Sequence, residues 1–128
     1  MFYSALQIVY NRLDRRAEHL YFPHAQRDGL GLLARVPLAS GLLSGKYRSG
    51  ATFAPNDVRA RFDAAKMQRD IAEAEQIAAQ EVPAGVPMSQ WALAWCLRNP
   101  LVTAVIPGSK TPAQARANAA AADLVEDR

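Results

Sequence analysis

An α/β fold with about three parallel strands and crossover helices is what this 128-residue sequence predicts. Three observations carry that expectation. Short apolar, partly β-branched runs alternate along the chain with helix-length segments, the order in which parallel strands are laid down with helices between them. The runs are apolar almost throughout, as strands covered on both faces are. Half of the residues are hydrophobic and 21% are charged, which suffices for a packed core and argues against wholesale disorder.

The first run, residues 5–10 (ALQIVY), reads as a buried strand ending at Asn11. Residues 18–28 look helical, with Pro23 limiting or starting that helix. Gly29 suits its end and Gly31 a tight start to the next element. Residues 32–36 (LLARV) form the second strand, stopped by Pro37. Residues 40–58 hold three glycines, Pro55 and few periodic apolar positions, so they read as a long loop, the kind that is usually functional or mobile. Asp63 caps a helix running to about Gln80, with Met67, Ile71, Ala74 and Ala78 on its apolar stripe. Residues 82–87 connect to a helix over 88–98, which Asn99-Pro100 ends. Residues 102–106 (VTAVI) give the third strand. Thr111-Pro112, a hydroxyl cap followed by proline in the first turn, opens a last helix through Ala122. Three strands alone leave two edges of unpaired backbone, the first hint that the chain is a piece of something larger.

Several function classes drop out. No apolar run approaches the ~20 residues of a membrane helix, and the start MFYSALQIVYNR lacks the basic opening of a signal peptide. The single Cys96 forms no internal disulfide and reads as a small core hydrophobe. His19 and His24 have no obvious carboxylate partner, so no metal site is expected. Trp91 and Trp95 read as core, and Glu73 and Glu75 as part of a solvated helix face. The net charge of +3 is mild, and no basic block interleaved with aromatics points to nucleic acid.

Two segments carry site chemistry. In residues 105–118 (VIPGSKTPAQARAN) a strand ends, Gly108 lets backbone approach a ligand, and a helix begins whose first amides lack internal partners. Lys110 adds a positive charge there, and Gln114 and Asn118 lie one turn apart on one helix face. Phosphate sites after the last strands of a β/α barrel have this layout. A plain capped helix satisfies the same pattern. Residues 35–47 (RVPLASGLLSGKY) also follow a strand's C-terminal end, where α/β folds bind ligands. A P-loop comparison fails there: the glycines of GLLSGK stand one residue too close, and Tyr47 replaces the magnesium-binding hydroxyl. An ordinary surface loop is the competing reading.

Taken together, three blocks resemble the aldo-keto reductase family. Residues 6–13 (LQIVYNRL) are similar to its sixth strand, residues 34–47 (ARVPLASGLLSGKY) to its seventh strand and cofactor loop, and residues 105–118 to its eighth strand and adenosine-phosphate site. Residues 90–97 (QWALAWCL) match the helix before that strand. The resemblance implies a partial (β/α)8 TIM barrel over residues 1–128, an incomplete domain from the C-terminal part of the family's barrel. It implies NADP rather than NAD as cofactor, because Lys110 suits a 2′-phosphate, and reduction of aldehydes or ketones by hydride transfer in the cytoplasm.

The implied cofactor contacts are Gln7 to the nicotinamide amide and Arg35 where many members stack an aromatic ring. Val36, Pro37, Leu38, Ala39 and Ser40 would line ribose and pyrophosphate, with Lys46 on a phosphate. Gly108, Ser109 and Lys110 would meet the adenosine ribose and 2′-phosphate, and Gln114 and Asn118 the adenine end. Arg59 and Arg61 are further phosphate candidates. Ala117 departs from a usually acidic position. The family's catalytic tyrosine, lysine, aspartate and histidine lie on earlier strands, none of Tyr3, Tyr10 or Tyr47 matches the tyrosine motif, and no catalytic residue is assigned. The isolated chain is therefore expected to be inactive, with a small carbonyl substrate belonging to the full-length enzyme. The alternatives are a non-catalytic NADP-binding chain, or a partial barrel that self-associates through its open sheet edges.

Overall fold

The computed structural model describes residues 3–125. Three strands, β1 (Ala5–Val9), β2 (Gly31–Arg35) and β3 (Ala104–Val105), form one parallel sheet in the order β1-β2-β3. Between β1 and β2 lie α1 (Ala17–Leu20) and α2 (Phe22–Asp28); between β2 and β3 lie α3 (Ala64–Gln80) and α4 (Met88–Arg98); α5 (Pro112–Ala120) follows β3. The register pairs Gln7 with Leu33, Val9 with Arg35, and Ala34 with Val105. All three strands therefore release their C-terminal loops at the same end of the sheet.

Local chemistry explains most element ends. The Asp63 carboxylate accepts from the Lys66 amide at 2.6 Å and starts α3, and the Thr111 hydroxyl accepts from the Gln114 amide at 3.1 Å and starts α5. Gly29 takes the left-handed conformation, φ 67°, that closes α2. Several boundaries differ from expectation: β1 stops at Val9 rather than Tyr10, and β2 starts at Gly31 rather than Leu32. The helix over 18–28 is two helices broken at Tyr21 (φ −125°), so that Pro23 sits in the first turn of the second. Val36 is outside β2 because its backbone turns to φ 53°. The third strand keeps two residues, although Thr103 and Ile106 still donate to Leu32 and Ala34 carbonyls at 2.8 and 3.0 Å. The last helix tightens into a 3-10 turn over Ala121–Leu124. On α3, Ile77 rather than Ala78 completes the buried stripe with Met67, Ile71 and Ala74.

The sheet is covered on one face, not two. Leu6, Ile8, Leu32, Ala34 and Val105 point into a cluster with Phe22, Ala25, Trp95, Cys96 and Val102. The alternate residues Gln7, Val9, Leu33, Arg35, Ala104 and Ile106 share the opposite face, and none belongs to a hydrophobic cluster of the described residues. Ile106 is 39% exposed. The apolar pattern on this face is that of a barrel interior, which three strands cannot enclose. Among the described residues, no helix is long and apolar enough to cross a membrane.

Candidate functional site

The loop after β2 makes three demands on the backbone within its first five residues. Val36, Ala39 and Ser40 adopt φ of 53°, 51° and 56°. A β-branched residue at positive φ is an outlier, and each such residue costs about 1–3 kcal/mol. Strain of that kind persists only where the surroundings over-determine it. The far end of the loop is anchored by Leu42 and Leu43, which sit in a 3-10 turn (Leu42–Ser44) between Gly41 (φ 89°) and Gly45 (φ 82°). Leu42 packs on Met67 and Ile71 of α3; Leu43, fully buried, packs with Ala74, Ile77, Trp91 and Ala92. Pro37 is buried, while Ser40 and Lys46 stay exposed. The Lys46 and Arg35 side chains have no ion-pair partner among the described residues.

Gln7 and Arg35 both line one groove, of about 270 Å³, at the sheet's C-terminal end, together with Val9, Asp14, Arg16 and Tyr21. Asp14 and Arg16 form an ion pair of 2.7 Å there, and the Arg16 contact holds the Asp14 carboxyl below its usual range. Sequence reasoning assigned neither residue. It also passed over Asn11, a buried polar residue (2% exposed) whose side chain bonds the Val36 carbonyl at 3.0 Å. Its signal was a lone amide directly after an apolar strand.

The turn after β3 is braced by its own helix. The Lys110 amide donates to Gln114 Oε1 at 2.7 Å, and Asn118 Nδ2 donates to Ser109 Oγ at 2.9 Å. Gln114 and Asn118 thus hold the 108–110 turn rather than standing free. Gly108 is exposed, and a side chain added there would meet nothing within 4 Å. Lys110 is exposed as well.

Arg59 is committed elsewhere than expected of a free phosphate partner. Its Nε and Nη2 donate to Asp57 Oδ1 and Oδ2 at 2.8 and 2.6 Å, and its Nη1 to the Ser40 carbonyl at 3.3 Å and to the Tyr47 hydroxyl. It also lies over the Tyr47 and Phe53 rings, 4.7 and 4.8 Å from their centroids. Arg59 therefore folds the 47–61 segment back onto the strained turn. Glu75 helps, accepting from the Ser49 hydroxyl and amide at 2.6 and 3.2 Å, so it is a tether rather than merely solvated surface. The Arg59 guanidinium holds the Asp57 carboxyl down to about 2, and Lys110 pulls in the same direction from the neighbouring turn. Arg61 is exposed.

The remaining candidates are structural or superficial. Tyr10 is 1% exposed and packs on Phe22 and Trp95, with ring centroids 4.9 and 5.3 Å away. Cys96 is buried and free, and burial pushes its thiol up to about 12. His19 and His24 are exposed, and the described residues hold no cluster suited to a metal.

The chain resembles known proteins along almost its whole length. The aldo/keto reductase family model matches residues 2–127. The chain is 34% identical to a probable voltage-gated potassium channel subunit beta of Arabidopsis thaliana, over 93% of its own length and 38% of that protein's. It is 33% identical to the L-glyceraldehyde 3-phosphate reductase of Escherichia coli O157:H7, over 88% of its length and 34% of the relative's. Among solved structures, a holo aldo-keto reductase of Bacillus halodurans superposes with a TM-score of 0.63 at 27% identity, covering 97% of this chain and 37% of that one. A glycerol dehydrogenase of Gluconobacter oxydans gives 0.75 at 23% identity, over 97% and 37% of the two chains, a likeness of fold. The chain thus spans less than two fifths of the length of these relatives, and its three parallel strands are part of a (β/α)8 barrel. On the family match and these relatives together, the chain belongs to the aldo/keto reductase family.

Proposed function

We propose that this chain is the cofactor-binding part of an NADP(H)-dependent oxidoreductase that reduces aldehydes or ketones, and that the chain alone binds the dinucleotide without turnover. The observation that carries the reading is that two anion-friendly turns follow the neighbouring parallel strands β2 and β3 at the same end of the sheet. The residues present fit such a ligand. The left-handed turn at Val36, Ala39 and Ser40 redirects backbone groups, open space lies above Gly108, and Arg35, Lys46 and Lys110 are exposed cations.

In this reading Gln7 and Arg35 hold the nicotinamide end in the groove they share. Residues 36–40 and Lys46 take the ribose and pyrophosphate. Gly108, Ser109 and Lys110 take the adenosine ribose and its 2′-phosphate, and Gln114 and Asn118 shape that turn for the adenine end. Bound there, NADP(H) supplies the hydride. By the family resemblance the proton donor is assigned to the earlier strands of the barrel; Tyr10, locked in the core, and Tyr47, whose hydroxyl is bonded to Arg59, do not supply it. The free, buried Cys96 suits a cytoplasmic enzyme.

Titration with NADPH and NADH, read by cofactor fluorescence, tests the reading. Saturable binding that favours NADPH is expected, and Lys110→Met should reduce the preference about tenfold, the worth of one exposed charge-assisted contact. Equal affinity for both dinucleotides removes the NADP assignment. Turnover of NADPH with a reactive aldehyde above a buffer blank would contradict the predicted inactivity.

A second reading is favoured by the uncovered sheet face. Val9, Leu33 and Ile106 lie on it outside the described hydrophobic clusters, beside the free edge of β1, and another chain could complete the layer there. A clean monomer in sedimentation would count against it.

A further inference from the structure

Asn11 is the one polar side chain among the buried described residues, and its three side-chain hydrogen bonds go to loop backbone rather than to the core. Its Oδ1 accepts from the amides of Leu13 and Asp14 at 2.9 and 2.8 Å. Its Nδ2 donates to the Val36 carbonyl at 3.0 Å. One residue earlier, the Tyr10 amide makes the last backbone rung of the β1–β2 ladder, to the Arg35 carbonyl at 3.3 Å. The Asn11 amide group adds one more rung where the backbone can no longer reach, because Val36 has turned to φ 53°.

The Val36 carbonyl also accepts from the Ala39 amide at 3.1 Å. Its two acceptor positions are thus filled, one from within the 36–39 turn and one from β1. Valine resists positive φ because its branched Cβ crowds the backbone. A left-handed valine needs an external hold, and Asn11 is the contact that supplies it from 25 residues away. The same side chain shapes residues 11–14, which carry Asp14 to the groove shared by Gln7 and Arg35.

We infer that Asn11 is the positioning residue of the site: it holds Val36 in the left-handed conformation and so sets the shape of the 36–40 turn and its register against the Gln7–Arg35 groove. The inference about Val36 stands on this geometry alone; its consequence for affinity rests on the dinucleotide reading above.

The discriminating variant is Asn11→Asp, which keeps the acceptor for the Leu13 and Asp14 amides but replaces the donor to Val36 with a carboxylate oxygen. Its rescuer is Val36→Gly, because glycine takes positive φ without the steric penalty. N11D should lower the urea midpoint and weaken NADPH binding at least tenfold. N11D/V36G should recover the midpoint, and its affinity should match that of V36G alone, the reference for any loss caused by removing the Val36 side chain. If N11D does not fold, the double variant should. Independent, additive losses, a double variant no better than N11D, or N11D indistinguishable from the parent would each overturn the inference. Rescue of the midpoint in a chain that binds no NADPH would sustain the hold on Val36 and sink the dinucleotide reading instead.

Discussion

Leu43→Ala should be among the most damaging single truncations in this chain, and the structure sets its size. The side chain has no exposed surface. Losing three carbon atoms from water-free surroundings costs about 2.4 kcal/mol at about 0.8 per methylene. The cavity left behind adds to that, and its walls decide how much. Ala74 and Ala92 are too short to lean in, and Trp91 is rigid, so the hole stays open and the total should reach about 4 kcal/mol, high in the observed range for leucine truncation. With a urea slope near ~2 kcal/mol per molar, the midpoint should fall by about 2 M. Leu42→Ala is the internal control. Leu42 is 6% exposed and meets Met67 and Ile71, and a flexible methionine can fill part of the gap, so about 2–3 kcal/mol is expected. Tryptophan fluorescence follows both, since Trp91 touches the truncated site. A loss below about 1 kcal/mol for L43A, or a larger loss for L42A, would refute the view that Leu43 is the main nail of the 36–46 loop.

Further outcomes follow from single contacts. Thr111→Ala removes the acceptor of the Gln114 amide and should cost about 1 kcal/mol, lowering the melting temperature by about 4 °C; Thr111→Ser should restore most of it. Burial raises the Tyr10 hydroxyl and the Cys96 thiol, each to about 12, from ordinary values of 10 and 9. Both groups hold their protons more tightly folded than unfolded. Their contribution is therefore complete below about pH 9 and lost as pH rises from there through about 12. Urea midpoints should fall steadily above pH 9, and Tyr10→Phe should flatten the fall above pH 10; a midpoint that rises there would contradict the burial of both groups. Native Cys96 should resist a thiol alkylating reagent at pH 8 and react on unfolding.

What could be read from the sequence was what is locally determined. The Asp63 and Thr111 caps, Pro112 in the first turn of α5 and the left-handed Gly29 need only their neighbours, and each was legible. The order of three parallel strands was legible for a similar reason, since apolar runs and helix-length spacers dictate it. Val36 was not. Nothing in RVPLAS signals positive φ at valine, because the hold comes from Asn11, distant in sequence. The fate of Arg59 was hidden likewise: its carboxylate partner is two residues away, but its commitment to Ser40 and Tyr47 depends on how the long loop folds back. The bare sheet face was misread because apolar alternate residues look the same under helices as inside a barrel wall.

The central claim is that the turns after β2 and β3 grip one dinucleotide together. Amide chemical shifts of the isotope-labelled chain, followed while NADPH is added, test it most directly. Residues 36–41 and 108–112 should shift with one common saturation curve, Gln7 and Arg35 moving with them. Shifts confined to one turn, or two turns titrating with different curves, would contradict it.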